Sequence, residues 1–424
     1  MNSELAEQVY FGLWGKNVKM VMKKTMNTRA NGAITPLMVI VIVVLFVVGV
    51  GVLTLGFYGR LLGIRASMDI SARCAADAGL TKAVVAMNEK LKVKPWDGTV
   101  LPQEADEALP NFDAVYSFTI TESNADSYAV QTVGHCGSSD RMIDSTLRLQ
   151  GPWEFAVFAR RDINLRANTV IDWYNFDADD DTLRVGTNSI LPDAVTLKSD
   201  TLVNGDIVVG LGGNPSSVIN CYPGVNITGR TYAMTEQYEL PAVVVPEYLE
   251  TSPSKGVISG SMTISSSGKY DGINLGNSAV VTINEPVVLY ITGDIRLGNS
   301  SQIRIGGSTD TDNDASLKLF LGGNIEGKNG IGFNNETKQP KNFELYALNT
   351  CTSIDFKNGS DFYGAMYAPS ANLILRNSGD IYGSFASDSF EMKETGTIHY
   401  DASLRNRSTS DELVRFVIKR WNEQ

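Results

Sequence analysis

Ala30 to Gly59 is a run of thirty residues without a charge, and its centre reads Met38-Val39-Ile40-Val41-Ile42-Val43-Val44-Leu45-Phe46-Val47-Val48. A helix of that length covers roughly 45 Å, more than the ~30 Å hydrocarbon core of a bilayer. A secretory apolar region is shorter, about 7–15 residues, so a cleaved signal does not account for it. The segment is expected to span a membrane. Lys16, Lys19, Lys23, Lys24 and Arg29 precede it, and Arg60, Arg65 and Arg73 follow. That bias places the N-terminus in the cytoplasm and the remainder outside it. Met20, Met22 and Met26 are alternative starts that would give a shorter basic leader.

The helical pattern continues past the apolar run. Ile64, Met68, Ala72, Ala75, Ala76, Gly79, Ala83, Val84, Met87 and Leu91 recur at helical spacing until Pro95 ends the series. Thr35-Pro36 reads as a cap and first helical position. One helix of nearly sixty residues is therefore expected, apolar first and amphipathic afterwards. Three runs of alternating polarity follow, Ala114–Ile120, Tyr128–Val133 and Met142–Leu149. They predict a short antiparallel sheet on which the amphipathic half packs.

These residues resemble the N-terminal region of PilX-type minor pilins of type IV pilus systems. The resemblance covers about Arg29 to Leu91: a basic leader ending in Gly32, a long apolar helix, then Ala75-Ala76-Asp77-Ala78-Gly79-Leu80. It implies cutting by a prepilin peptidase after Gly32, leaving Ala33 as the mature N-terminus. It also implies storage in the inner membrane and partnership with other pilin or pseudopilin subunits. Major pilins carry Glu at the fifth mature position. Leu37 stands there, and several minor pilins also lack this Glu, which suits a priming or tip role better than a repeated shaft subunit.

From Trp153 onward, short β-branched runs alternate with Gly, Asn, Ser and Asp. Asp361 to Ala368 aligns with Asp380 to Ser387 nineteen residues later. The same step back reaches Asn342–Ala347, and forward it reaches His399-Tyr400-Asp401. Gly205-Asp206-Ile207, Gly293-Asp294-Ile295, Gly323-Asn324-Ile325 and Gly379-Asp380-Ile381 repeat one phrase. Such a period predicts coils of a parallel β-helix, with an antiparallel sandwich as the alternative. The block 362–404 also resembles the solenoid-like domains found behind PilX-type N-termini. The last run, Asp411 to Trp421, reads as an amphipathic helix capping the solenoid.

The expected fold is thus mainly β: a basic leader (1–32), a transmembrane and amphipathic pilin-like helix (33–93), a linker with a small antiparallel sheet (94–151), a β-helix (152–404) and a C-terminal capping helix (405–424). The 47 acidic against 36 basic residues argue against nucleic acid as a partner, because neutralising phosphates needs clustered Lys and Arg. Two histidines and four cysteines exclude multi-histidine and multi-cysteine metal centres. Asp310, Asp312 and Asp314 alternate like the start of a calcium loop, but Ala315 and Leu321 stand where that loop needs Gly and Glu. A solvated loop, with no cofactor, is the expectation. Asp361, Asp380 and Asp401 are where carbohydrate chemistry on a β-helix would have to sit. Asp beside Gly at a coil corner is more often turn chemistry, so no enzyme is expected. A static membrane-anchored β-helix is the structural alternative to a pilin.

Overall fold

The computed structural model describes residues 34–124, 127–175, 182–306, 314–327, 332–377 and 379–423. Gly32, Ala33, Asp310 and Asp312 lie outside them. The chain divides after Met68 into two units. The protein is mainly β, with one long apolar N-terminal helix, an antiparallel sheet and parallel sheets.

Helix α1 runs Ile34–Leu91. In the first unit its residues 35–60 are exposed. The second unit begins with the last part of α1 and a five-stranded sheet. Its first strands are β1 (Gln103–Ala108), β2 (Val115–Asn124), β3 (Ser127–Cys136) and β4 (Ser139–Gln150), paired antiparallel in that order. Alternating burial along β3 leaves one face for the helix, as a half-buried sheet requires. β1 lies in the stretch read as linker.

The fifth strand is Arg415–Glu423, antiparallel to β4 with Arg415 opposite Gln150. This corrects the expected capping helix at 405–424. Spacing of Leu413, Val414, Phe416, Val417 and Trp421 suits either structure, and the free edge of β4 decides between them. Pairing with β4 satisfies that strand's free edge and the facing backbone groups of the run, where an isolated short helix is marginal in water. The whole β-helical region is therefore an insertion between two adjacent strands of the sheet.

The described residues of 157–233 and 257–401 wind in three-sided coils whose neighbouring strands are parallel. The sandwich alternative falls with this, since its pairs would be antiparallel. The order of coils in space differs from their order in sequence. The first coil, Val157–Ala159, Ile163–Leu165 and Val170–Tyr174, is followed by coils ending at Thr231–Ala233. A second series starts at Val257–Ile258 and ends with Ile381–Met392 and Thr397–Asp401. The last coil of this second series stacks on the first coil of the first: Phe385 opposite Val157, Phe390 opposite Ile163, and Ile398 opposite Ile171. The chain thus enters the solenoid in the middle, winds to one end, returns to the other end and winds back to the middle. Entry and exit are neighbours, which is why Arg415 meets Gln150.

The return is a strap, residues 234–250, laid along the outside of one face. Met234 donates to the Val209 carbonyl, and the Asn188 amide exchanges two bonds with the Tyr238 backbone (2.7 and 3.1 Å). Further along, Tyr367 Oη donates to Pro241 O (2.7 Å) and Lys269 Nζ to Glu250 O (2.8 Å). Val243, Val245 and Leu249 bury against Phe158, Phe320, Tyr346 and Tyr367. Nine strand spacings separate the two ends of that face, about 43 Å, and seventeen extended residues reach at most roughly 60 Å. The strap is long enough with little slack.

The coil period varies. The nineteen-residue alignment is the true register for Phe362 on Ile381 through Ala368 on Ser387. One step back, Glu344 lies opposite Ala365, and one step forward, His399 lies opposite Tyr382, so each outer step slips by two. A slip of two keeps every side chain on its own face, which is why the sequence pattern survived it. The Gly-Asp/Asn-Ile phrase occupies three different corners. Only Gly293-Asp294 and Gly323-Asn324 stack, with Asp294 Oδ1 accepting from Asn324 N (2.9 Å). The corner that does recur has a left-handed residue at Asn168, Asp200, Gly224, Ser278 and Ser300. There the following N–H closes a four-residue turn, such as Thr201 N to Lys198 O.

Candidate membrane and assembly surface

In the first unit, α1 carries Leu37, Phe46, Leu53, Leu55 and Phe57 exposed, with no charged side chain from Ile34 to Gly59. It is long and apolar enough to cross a membrane. A contiguous exposed apolar surface of this size demands lipid or other apolar partners.

In the second unit, Ala72, Ala75, Ala76, Leu80, Ala83, Met87 and Leu91 form the buried stripe of α1. Close approach explains the small residues. A Cβ on Gly134 of β3 would lie 2.0 Å from Ala72 O and 2.4 Å from Ala76 N. Gly79 faces the Tyr116 ring, and Thr132 Oγ1 donates to Ala76 O at 3.1 Å inside the contact. Within the Ala-Gly motif, Ala75, Ala76, Gly79 and Leu80 are buried, Ala78 is half-buried and Asp77 is exposed. Only small side chains let helix backbone and strand backbone meet this closely.

Two clamps hold the seat at its ends. Arg141 on β4 forks onto Asp69 (2.8 and 2.9 Å), and its guanidinium hydrogen bond holds the Asp69 carboxyl below the usual carboxylate range. Near the other end Asn88 donates to Phe416 O (3.1 Å) and accepts from Phe416 N (2.8 Å), gripping the C-terminal strand. Trp96, Tyr128 and Phe416 pack as an aromatic cluster beside it. Lys94 Nζ donates to the carbonyls of Thr409 and Asp411, both at 2.7 Å, and burial lowers its pKa. Sequence reasoning missed Gly134, Arg141, Asn88 and Lys94. Gly134, a lone glycine in an alternating strand, was the available signal for a close backbone approach.

The passage between sheet and solenoid is polar and buried. Arg407 pairs with Glu344 at 2.7 Å, Tyr346 Oη donates to the same carboxylate at 3.0 Å, and both charges are buried. Glu154, also buried, accepts from Arg148 (3.1 Å) and Arg184 (3.4 Å).

The candidate chemical residues are engaged in structure. Asp361 Oδ1 accepts from Asp380 N at a coil corner (3.1 Å), while Asp401 is buried and caps the turn at Ser403 N (3.0 Å). Thr397, not Asp401, occupies the rung beyond Asp380, as the register of Ile398 on Ile381 requires. His399 sits between Asp172 and Asp380 and stacks on Tyr382 at 4.6 Å, with Tyr363 stacked beyond at 4.4 Å. Those rings spend their faces on one another. Asp314 is exposed, and among the described residues no three His, Cys, Asp or Glu groups cluster as metal ligands do. The four cysteines are free thiols; burial pushes Cys351 up to about 12.

Residues 232–407 match the model of a domain of unknown function (DUF7305). The match begins where the strap leaves the first series of coils and ends in the exit segment. It leaves α1, the antiparallel sheet and almost all of the first series outside. No curated protein sequence matches the chain. Among solved structures, the competence-associated pilin ComZ from Thermus thermophilus aligns over 84% of this chain and 98% of its own, at 11% identity and a TM-score of 0.23.

Proposed function

We propose that this chain is a membrane-anchored, pilin-like structural protein of a type IV pilus or pseudopilus, presenting a β-solenoid outside the cell. One observation carries the reading. A single 58-residue helix is exposed and uncharged in its first stretch, and seated by Ala and Gly on an antiparallel sheet in its last. The first stretch would reside in the inner membrane as a single pass with the N-terminus cytoplasmic. It would exchange lipid for the helices of other pilin subunits on assembly, a transfer between apolar surroundings that packing can drive. Prepilin peptidase would cut after Gly32.

The deciding experiment is N-terminal sequencing of the membrane and sheared-filament fractions from a pilus-competent cell. The expected result is Ala33 as first residue, lost in Gly32→Lys together with filament incorporation. An uncut chain confined to membranes would overturn the pilin reading in favour of a static anchor. Sugar release from a glycan panel that disappears in Asp380→Asn would instead point to an enzyme.

A further inference from the structure

We infer that the two edges of the five-stranded sheet form a heterologous contact between successive copies of this chain, the acidic edge of one against the basic edge of the next. β1, one edge, carries Glu104, Asp106 and Glu107, all exposed, and no basic residue. Exposed Val100 and Phe112 flank it at its two ends. The opposite edge, Arg415–Glu423, exposes Lys419 and Arg420 together with Ile418 and Trp421. Its single acid, Glu423, is held by Arg73 at 2.8 Å. Each edge thus combines apolar anchors with charge of one sign, and the signs are opposite.

Four strand spacings, about 19 Å, separate the edges, so one molecule cannot bring them together itself. Backbone pairing is blunted on both. β1 is bulged between Glu104 and Glu107, with Asp106 left-handed and its N–H given to Ser117 Oγ. The opposite strand has Phe416 gripped by Asn88 and a bulge between Ile418 and Arg420. Simple sheet extension is therefore disfavoured, and side chains carry the recognition. Trp and Arg are the residue types that anchor such contacts, and the charges set partner orientation. A contact between two different patches propagates head to tail, as a filament requires. The inference rests on the pilin-like reading for its setting, while the contact itself is a property of the purified chain.

The test is sedimentation velocity of the full-length protein in neutral detergent micelles at about 50 mM and about 500 mM salt. Reversible association at low salt that weakens at high salt is expected. Glu104→Lys/Glu107→Lys and Lys419→Glu/Arg420→Glu, each alone, should weaken it by at least roughly tenfold. An equimolar mixture of the two, or one chain carrying all four changes, should restore it, which excludes misfolding as the cause of loss. Association unaffected by either reversal, absent in the wild type at low salt, or not restored by the mixture overturns the inference. The N-terminus of the same material separates the two readings. Ala33 without edge-dependent association removes the contact alone, whereas association of an uncut chain removes the pilin assignment alone.

Discussion

The helix-backed sheet and the solenoid bury comparable strands by opposite means. The sheet has one apolar face and needs a partner, so its stability depends on how closely α1 can approach. The solenoid closes on itself, and its inward residues, such as Ile163, Leu197, Leu345 and Phe390, are covered by the coils on either side. In the first case a few contact positions hold the structure; in the second, the load is spread over every rung. The difference teaches where each region is fragile. The sheet fails at its seat, and the solenoid fails where a rung cannot stack on the next.

The largest effects should come from glycines that break one region and spare the other. Gly383 has φ +149 and an added Cβ would lie 1.8 Å from Gly364 O. Gly383→Val should therefore destabilise the solenoid by about 3 kcal/mol or more, as strain and overpacking together do. Denaturant melts followed at the solenoid tryptophans report it. Gly134→Val should cost the seat a similar amount, about 3 kcal/mol, and open residues 69–91 to protease while the coils stay protected in hydrogen exchange. Loss of coil protection in Gly134→Val would show that the two regions do not separate.

Comparable in size is the buried pair at the exit. Arg407→Met leaves Glu344 buried and unpaired, an expected loss of about 3–5 kcal/mol, whereas Arg407→Met with Glu344→Leu should recover most of it. A double-mutant cycle by thermal melting measures this. Asn88→Ala removes two hydrogen bonds to Phe416 and should cost about 1–2 kcal/mol, with faster exchange confined to the C-terminal strand.

The smallest effect is titratable. Arg141 lowers the Asp69 pKa, so this contact contributes fully above the unfolded carboxylate value, about pH 4, and fades as pH falls through the lower folded value. Asp69→Asn should flatten that acid limb for the helix seat and leave the solenoid's pH dependence unchanged.

Much of this contrast was legible beforehand for a physical reason: periodicity is local. An uncharged thirty-residue run can only be a span or a buried helix, and the alternating runs that became β2, β3 and β4 declared themselves within a few residues. Coil pairing near Phe362 and Ile381 was legible because Asp361, Tyr363 and Gly364 recur at one spacing as Asp380, Tyr382 and Gly383. Other parts of the pattern misled. A slip of two residues leaves inward and outward positions intact, so neither Glu344 nor His399 disclosed its true partner. The phrase Gly-Asp-Ile marked corners without saying which corner.

By itself, then, the sequence determined the apolar helix, the small-residue stripe from Ala72 to Gly79, the strand-rich remainder and the corner chemistry, all of which depend on neighbours in the chain. Only the tertiary structure decided that the solenoid begins in its own middle and that residues 234–250 strap its outside. It also decided that Arg415–Glu423 is a strand rather than a helix. Each of these is a choice of distant partner, made because a free strand edge at Gln150 or at Val157 costs unsatisfied backbone groups. Residues more than two hundred positions away are the ones that satisfy them.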